Sequence, residues 1–228
     1  GVGGVGLFAK RIIDNTPTVT PADVKPQGFT SFVYAEDGTL LEQFLESGSN
    51  RVYKTIDEIP KYLGDAFVAI EDERFYKHNG IDLQGILRAG IVGITSGNFS
   101  EGASTLTQQL IKNNVFPNFL DEKTFYDRLE RKLQEQVLAM EIEKQMTKEE
   151  ILEAYMNTIN LGQSCLGVQS AAKRYFGKDV SELTLSECTV IAGITQNPTG
   201  YDPVVYPEAN AKRRDIVLGN MLEQGYIT

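Results

Sequence analysis

Positive charge is scarce in this sequence. Its 228 residues carry 22 lysines and arginines against 31 aspartates and glutamates, a formal net charge of −9. So acidic a chain is a poor candidate for nonspecific nucleic-acid binding. Bulk electrostatics would not hold it on anionic lipid either. Any anionic ligand must be met by a local basic cluster. Histidine is scarcer still: His78 stands alone, with no cysteine or histidine at metal-ligand spacing. The two cysteines, Cys165 and Cys188, form no C-x-x-C pair. That argues against structural zinc and leaves two thiols acting as small buried apolar groups. Long apolar runs are missing too. The stretch Gly1 to Ala9 (GVGGVGLFA) is uncharged, but a bilayer-spanning helix needs about 20 such residues. It reads either as the cut end of a transmembrane helix, because small residues suit membrane helices, or as a loose apolar start. No complete signal peptide, internal repeat or low-complexity segment is visible.

What is present reads as a globular domain. Residues 14–28 carry Pro17, Pro21, Pro26 and Gly28 and are expected to be an extended linker. We therefore divide the chain into a membrane-helix remnant and linker, 1–28, and a domain, 29–228. The runs Phe29–Ala35 and Thr39–Leu45 flank Asp37-Gly38, a tight-turn signal that predicts a β-hairpin. Beyond Pro60 the patterning is helical. Helices are expected at 60–74, 82–96, 103–115, 122–145, 148–158, 165–175, 185–195 and 207–224. Thr147 with Glu150, and Thr184 with Glu187, form T-x-x-E capping boxes. Gly97, Gly177 and Gly225 sit where helices should stop. The fold class is mainly α, with a small β-hairpin near the N-terminus.

Three groups of residues carry chemistry. On the helix through Phe67, the residues Leu63, Phe67 and Ile70 make an apolar stripe. Glu71 lies at its edge, with Asp72 nearly opposite, toward water. A carboxylate buried beside apolar groups is a proton acceptor tuned toward neutral pH; the same residue also reads as an ordinary surface glutamate paired with a cation. On the helix 122–145, Phe125, Leu129, Leu133 and Val137 form the expected apolar stripe. Arg128, Arg131, Lys132 and Glu135 follow helical spacing beside it. Three cations and a carboxylate on one face suit a diphosphate, directly or through a divalent ion (Mg2+ or Mn2+). They equally suit a solvated face with an Arg131–Glu135 pair of small weight. The third group runs from Gly102 to Lys112. Its glycine and hydroxyls open a helix with unpaired N–H groups, a potential anion site. Lys112 shares a face with Gln108. A Ser-capped amphipathic helix is the plainer reading.

Together these segments resemble glycosyltransferase family 51, the polymerase domains of class A penicillin-binding proteins and the monofunctional transglycosylases. The motif E-D-x-x-F-x-x-H-x-G is matched by Glu71, Asp72, Phe75, His78 and Gly80. G-x-S-T-x-x-Q-Q is matched by Gly102, Ser104, Thr105, Gln108 and Gln109. R-K-x-x-E is matched by Arg131, Lys132 and Glu135. Lys148, Ile151, Leu152, Tyr155 and Asn157 match K-x-x-I-L-x-x-Y-x-N. Arg213, Arg214, Val217 and Leu218 match R-R-x-x-V-L. Met156 replaces a usual leucine, a conservative change. The segment Asn113–Asp127 looks longer than usual. A basic residue for phosphate contact falls there on no definite position, with Arg128 and Lys123 as candidates.

The resemblance implies a lysozyme-like, two-lobed fold on the extracytoplasmic face of the cell membrane, single-pass anchored. It implies lipid II as acceptor and a growing glycan chain on undecaprenyl diphosphate as donor. It also implies sensitivity to moenomycin-type inhibitors. Glu71 is then the general base, and Glu135 a second carboxylate that orients cations or helps hold a metal. Ser104, Gln108, Lys112, Arg88, Arg131 and Lys132 bind substrate. No cofactor is required. His78 is assigned to bracing the loop after Phe75, and Lys148, Asn157, Arg213 and Arg214 to support. The stretch Leu83–Ser100 is either a core helix or an apolar jaw touching the membrane, loosened by Gly90, Gly93 and Gly97. Two rival readings are a lysozyme-like enzyme that cleaves glycan and a non-catalytic membrane-tethered scaffold. No S-x-x-K transpeptidase signature follows, so the chain is expected to be the excised N-terminal part of a bifunctional synthase, or else a monofunctional enzyme.

Overall fold

The structure, a computed structural model, describes residues 2–26, 30–37, 39–45, 52–96 and 102–228. Gln27, Gly28, Phe29 and Gly38 of the expected linker and hairpin, and residues 97–100 with the expected helix stop Gly97, lie outside the described residues. In chain order the helices are α1 (Val2–Asp14), α2 (Pro21–Val24), α3 (Lys61–Glu71), α4 (Leu83–Ser96), α5 (Leu106–Val115), α6 (Phe125–Glu143), α7 (Lys148–Thr158), α8 (Val168–Phe176), α9 (Leu185–Ala192) and α10 (Pro207–Glu223). Strands β1 (Thr30–Tyr34) and β2 (Leu40–Leu45) pair antiparallel, with Thr30 opposite Leu45. The chain is mainly helical. It divides into two compact units: Gly1–Lys25 with Arg74–Ile151, and Pro26–Glu73 with Leu152–Thr228.

Capping chemistry sets most helix starts. Thr147 and Glu150 exchange backbone-to-side-chain bonds at 2.8 and 3.2 Å. Thr184 and Glu187 do the same at 2.9 and 3.3 Å. Thr105 with Gln108, and Thr124 with Asp127, repeat the device at α5 and α6. Each box satisfies donors that the first helical turn leaves unpaired. Gly177 ends α8 at φ 64°, and Gly225 follows α10 at φ 80°, conformations cheap for glycine alone.

In the first unit, α5 and α6 pack together, with α1 against α6 and α2 against α5. Leu106, Leu110 and Ile111 of α5 and Leu138, Ala139 and Ile142 of α6 are all essentially without exposure. In the second unit α3, α9 and α10 pack mutually. Phe67 of α3 lies edge-on to Tyr155 of α7, with ring centroids 5.5 Å apart, and both rings are fully buried. At roughly 1.5–3 kcal/mol per buried large side chain, such contacts are what hold each unit.

Three expectations need correction. Asp72 does not face water; it is 5% exposed. Helix α3 ends at Glu71, and Asp72 leaves it with φ −156° and ψ 72°, so a helical projection no longer places its side chain. The apolar stripe of α6 is not the one through Phe125, which is 71% exposed. The buried stripe is Glu135, Leu138, Ala139 and Ile142, which puts a carboxylate inside it. The expected linker, 14–28, is not extended throughout, since the short helix α2 occupies Pro21–Val24. No helix among the described residues is long and apolar enough to cross a membrane.

Candidate functional site

Glu71 is the last residue of α3, half-buried, and its carboxylate accepts a hydrogen bond from the Thr195 hydroxyl. Thr195 was missed in the sequence, since it lies in no motif and is brought here by the chain after α9. The end of α3 is held firmly. The Ala69 carbonyl accepts from Asn220 at 3.3 Å and from Gln224 at 3.0 Å, both on or just after α10. Below Glu71 the buried Tyr155 hydroxyl has no hydrogen-bond partner. Burial, then the charges of Glu71 and Asp72, push its ionisation well above the usual tyrosine range. It stays a neutral O–H under a carboxylate.

The other predicted residues belong to the first unit. The cap of α5 is Thr105, not Ser104: its hydroxyl accepts from the Gln108 N–H at 3.1 Å, and the Gln108 side-chain carbonyl accepts from the Thr105 N–H at 2.9 Å. Gln108 is thus a buried part of the capping box, 3% exposed, with its carbonyl engaged by backbone. Ser104, released from capping, accepts from Lys132 Nζ at 3.0 Å. Lys132 also donates to Glu135 Oε2 at 3.3 Å. Glu135 Oε1 accepts from Arg131 Nη1. The Arg131 fork closes on Glu122, with Nε–Oε1 at 2.5 Å and Nη2–Oε2 at 3.1 Å. Burial alone would lower the Arg131 pKa, yet its bonds to Glu122 and Glu135 raise it. Lys112 Nζ lies 4.9 Å from the centroid of the Phe119 ring, and the Arg131 guanidinium lies 5.6 Å from the same centroid.

Ser104, Arg131, Lys132 and Glu135 therefore form one hydrogen-bonded cluster, and Lys112 shares the Phe119 ring with Arg131. Neither Glu122 nor Phe119 was singled out in the sequence; both sit in the α5–α6 connection, because α6 begins at Phe125 and not at the expected 122. The Glu135 side chain is 1% exposed, so the surface-pair reading of Arg131–Glu135 is set aside. Both Glu135 oxygens are occupied by cations. Among the described residues no group of three or more His, Cys, Asp or Glu side chains is arranged to hold a metal ion. The donor set does not fit a divalent ion at Glu135.

His78 braces its loop. Its Nδ1 accepts from the Gly80 N–H at 3.0 Å, and its carbonyl accepts from Lys148 Nζ at 2.7 Å. Lys148 also meets Glu143 at 2.8 Å and lies 4.6 Å from the Phe75 ring centroid. Thr107 of α5 donates to the same Glu143 oxygen at 2.8 Å. Thr105 donates to the Gly80 carbonyl at 2.8 Å. Gly80 adopts φ +106°, and a Cβ there would meet Ala139 backbone atoms at 2.7 Å. In the second unit, Asn157 supports its surroundings through Lys54, accepting from its N–H at 2.9 Å and donating to its carbonyl at 2.8 Å.

Arg88 is an exposed residue of α4. That helix is not a core helix: Leu83, Leu87, Ile91 and Ile94 are 75, 66, 54 and 78% exposed. Its start is anchored by Asp82, which accepts from the Gly85 N–H at 3.1 Å and pairs with Arg74 at 2.7 Å.

A family model described as Transglycosylase matches residues 37–222. Penicillin-binding protein 1A of Escherichia coli is 44% identical over the whole chain, which covers 26% of that protein. The protein of the same name from Neisseria flavescens is 41% identical over 99% of this chain and 27% of its own. A crystal structure of penicillin-binding protein 1A from Haemophilus influenzae aligns with 89% of this chain and 19% of that chain, at 25% identity and a TM-score of 0.46. The chain spans about a quarter of the length of the curated relatives it matches.

Proposed function

This chain belongs to the transglycosylase family, and on that premise we propose that it is a peptidoglycan glycosyltransferase that polymerises lipid II into β-1,4-linked glycan with inversion at the MurNAc C1. The observation that carries the reading is the cluster around Glu135. A nearly inaccessible carboxylate in the apolar stripe of α6 holds Arg131 and Lys132 in fixed positions, with Ser104 beside them. A neutral glycan has no use for such a cluster; a diphosphate leaving group does.

Each group has a step. Glu71, carried on the rigid end of α3, takes the proton of the acceptor GlcNAc 4-hydroxyl as the oxygen attacks C1. The Thr195 hydroxyl, donating to that carboxylate, keeps it oriented. The C1–O bond to the diphosphate breaks, and the leaving group takes the electron pair. It departs as an anion, so charge neutralisation matters more than protonation, and Lys112, Arg131, Lys132 and Arg88 supply it. Ser104 accepts from Lys132 and aims it. No step passes through a metal ion.

We extend the proposal to the lysozyme-like, two-lobed fold of the family, to attachment at the extracytoplasmic membrane surface and to inhibition by moenomycin-type phosphoglycolipids. The exposed apolar residues of α4 suit a lipid surface. The test is polymerisation of lipid II by the purified protein, alongside incubation with finished glycan. Polymer from lipid II, with glycan left intact, is expected. Glu71→Gln should lower the rate by about 100-fold or more, the scale of a lost general base. Cleavage of finished glycan, or normal polymerisation by a folded Glu71→Gln protein, refutes the assignment.

A further inference from the structure

Each of the three nitrogens of the Arg131 guanidinium is already engaged. Glu122 takes its Nε and Nη2 in a two-point contact, and Glu135 takes its Nη1. This two-point face is the one with which arginine grips a phosphate, because carboxylate and phosphate oxygens match the same fork. As built, Arg131 and Lys132 are balanced by Glu122 and Glu135, so these four groups sum to zero charge and offer an anion little net attraction.

The two carboxylates differ in how they are held. Glu135 is fixed in α6 at 1% side-chain exposure. Glu122 sits outside any helix, just after the short 3-10 turn Phe119–Asp121, and its side chain is 15% exposed. Its neighbours Asp121 and Lys123 are exposed. The first carboxylate cannot leave without opening the core of the first unit, whereas the second can swing into water. The same short segment carries Phe119, whose ring meets both Lys112 and Arg131. A shift of this segment that carries Glu122 aside would carry the ring away from both cations as well.

We propose that Glu122 is an internal stand-in for the diphosphate, occupying the Arg131 fork in the substrate-free protein and yielding it when a diphosphate-bearing ligand binds. This rests on the proposed assignment of the cluster to the leaving group. When Glu122 swings out, the remaining Arg131, Lys132 and Glu135 carry one net positive charge, and the fork is open to two phosphate oxygens. The resting state keeps the cations from being claimed by stray anions, and ligand binding includes the displacement of Glu122.

The test uses inorganic pyrophosphate as the probe, with the whole chain carrying Glu122→Gln or Glu122→Ala. Calorimetry should show both variants binding pyrophosphate about tenfold tighter than wild type, the scale of one charge-assisted contact no longer in competition. In lipid II turnover the gain should fall on KM. In the wild-type protein, backbone hydrogen exchange at Phe119–Glu122 should rise when pyrophosphate is added, a readout that needs no variant. Unchanged or weaker pyrophosphate binding by both variants, or exchange at that segment that falls or does not move, overturns the proposal. Absence of lipid II polymerisation by the wild type would instead remove the functional assignment and leave the pyrophosphate result to be judged on its own.

Discussion

Removing the Glu135 carboxylate tests whether the cluster is a buried network or a surface pair. In Glu135→Ala the 1%-exposed carboxylate disappears from between Leu138 and the cations. Arg131 is 11% exposed and keeps Glu122 as a partner, so its charge is not wholly orphaned. Lys132 is 46% exposed and can turn into water, so its share is at most about 1 kcal/mol. Breaking a buried ion pair costs about 3–5 kcal/mol; the surviving Glu122 contact places the expected loss near the lower bound, about 3 kcal/mol. Urea unfolding followed by circular dichroism should show the midpoint falling by about 1 M, for a slope of about 3 kcal/mol per molar. The double variant Arg131→Met with Glu135→Met should lose clearly less than the sum of the two single changes, with a coupling of about 2 kcal/mol. A loss under about 1 kcal/mol in Glu135→Ala, with additive single and double variants, refutes the buried-network argument and returns Arg131–Glu135 to the status of a solvated pair.

The remaining predictions concern the frame around the site. Thr105→Ala should cost about 2 kcal/mol in thermal unfolding, roughly one for the cap and one for the bond to the Gly80 carbonyl, whereas Ser104→Ala should stay within about 0.5 kcal/mol; equal effects would mean the cap is misplaced. Gly80→Ala combines a left-handed φ with a backbone clash, and should lower the melting temperature by about 10 °C or abolish soluble expression; a normal melting curve contradicts the close approach to Ala139. The Asp82 pKa is depressed, chiefly by its hydrogen bond to Arg74, with the Gly85 N–H adding to it. A depressed carboxylate stabilises the fold above its unfolded pKa of about 4 and loses that contribution as pH falls through its folded value. The stability gap between wild type and Asp82→Asn should thus be full at pH 6 and shrink below about pH 4. A gap that does not change with pH would exclude the Arg74–Asp82 ion pair as its source.

Much of the helical framework was legible because local rules govern it. Thr147–Glu150 and Thr184–Glu187 announced their helices through chemistry confined to four residues, and α7 begins and ends where the pattern places it. The stripe Leu63, Phe67 and Ile70 was not the rule on α3, which is buried on all faces from Leu63 to Ala69, with Ile70 and Glu71 half-buried at its end. What failed did so where a helix stops or a stripe is ambiguous. Asp72 was projected onto a helix it has already left. On α6 two stripes compete. The one with Phe125 is more apolar, yet the one with Glu135 is buried, because α5 packs on α6 and because the cations give the carboxylate partners. The plainer alternative made Ser104 the cap, but Thr105 holds that place, a shift of one residue that decides which hydroxyl is left for Lys132. Glu122 and Thr195 fall at the ends of the expected helices 122–145 and 185–195, yet both lie outside α6 and α9; only the folded chain brings them, and Phe119, to the residues they touch.

The clamp between α5 and α6 has an evolutionary consequence. Thr107 is tied to Glu143, Thr105 to Gly80, and Gly80 rests on the α6 backbone at Ala139. The two helices keep their register through these ties, whatever spans the gap from Phe116 to Thr124. A lineage can lengthen, shorten or recharge that span by ordinary insertion and substitution, and so change which groups meet Lys112 and Arg131, while the scaffold carrying them is inherited unaltered.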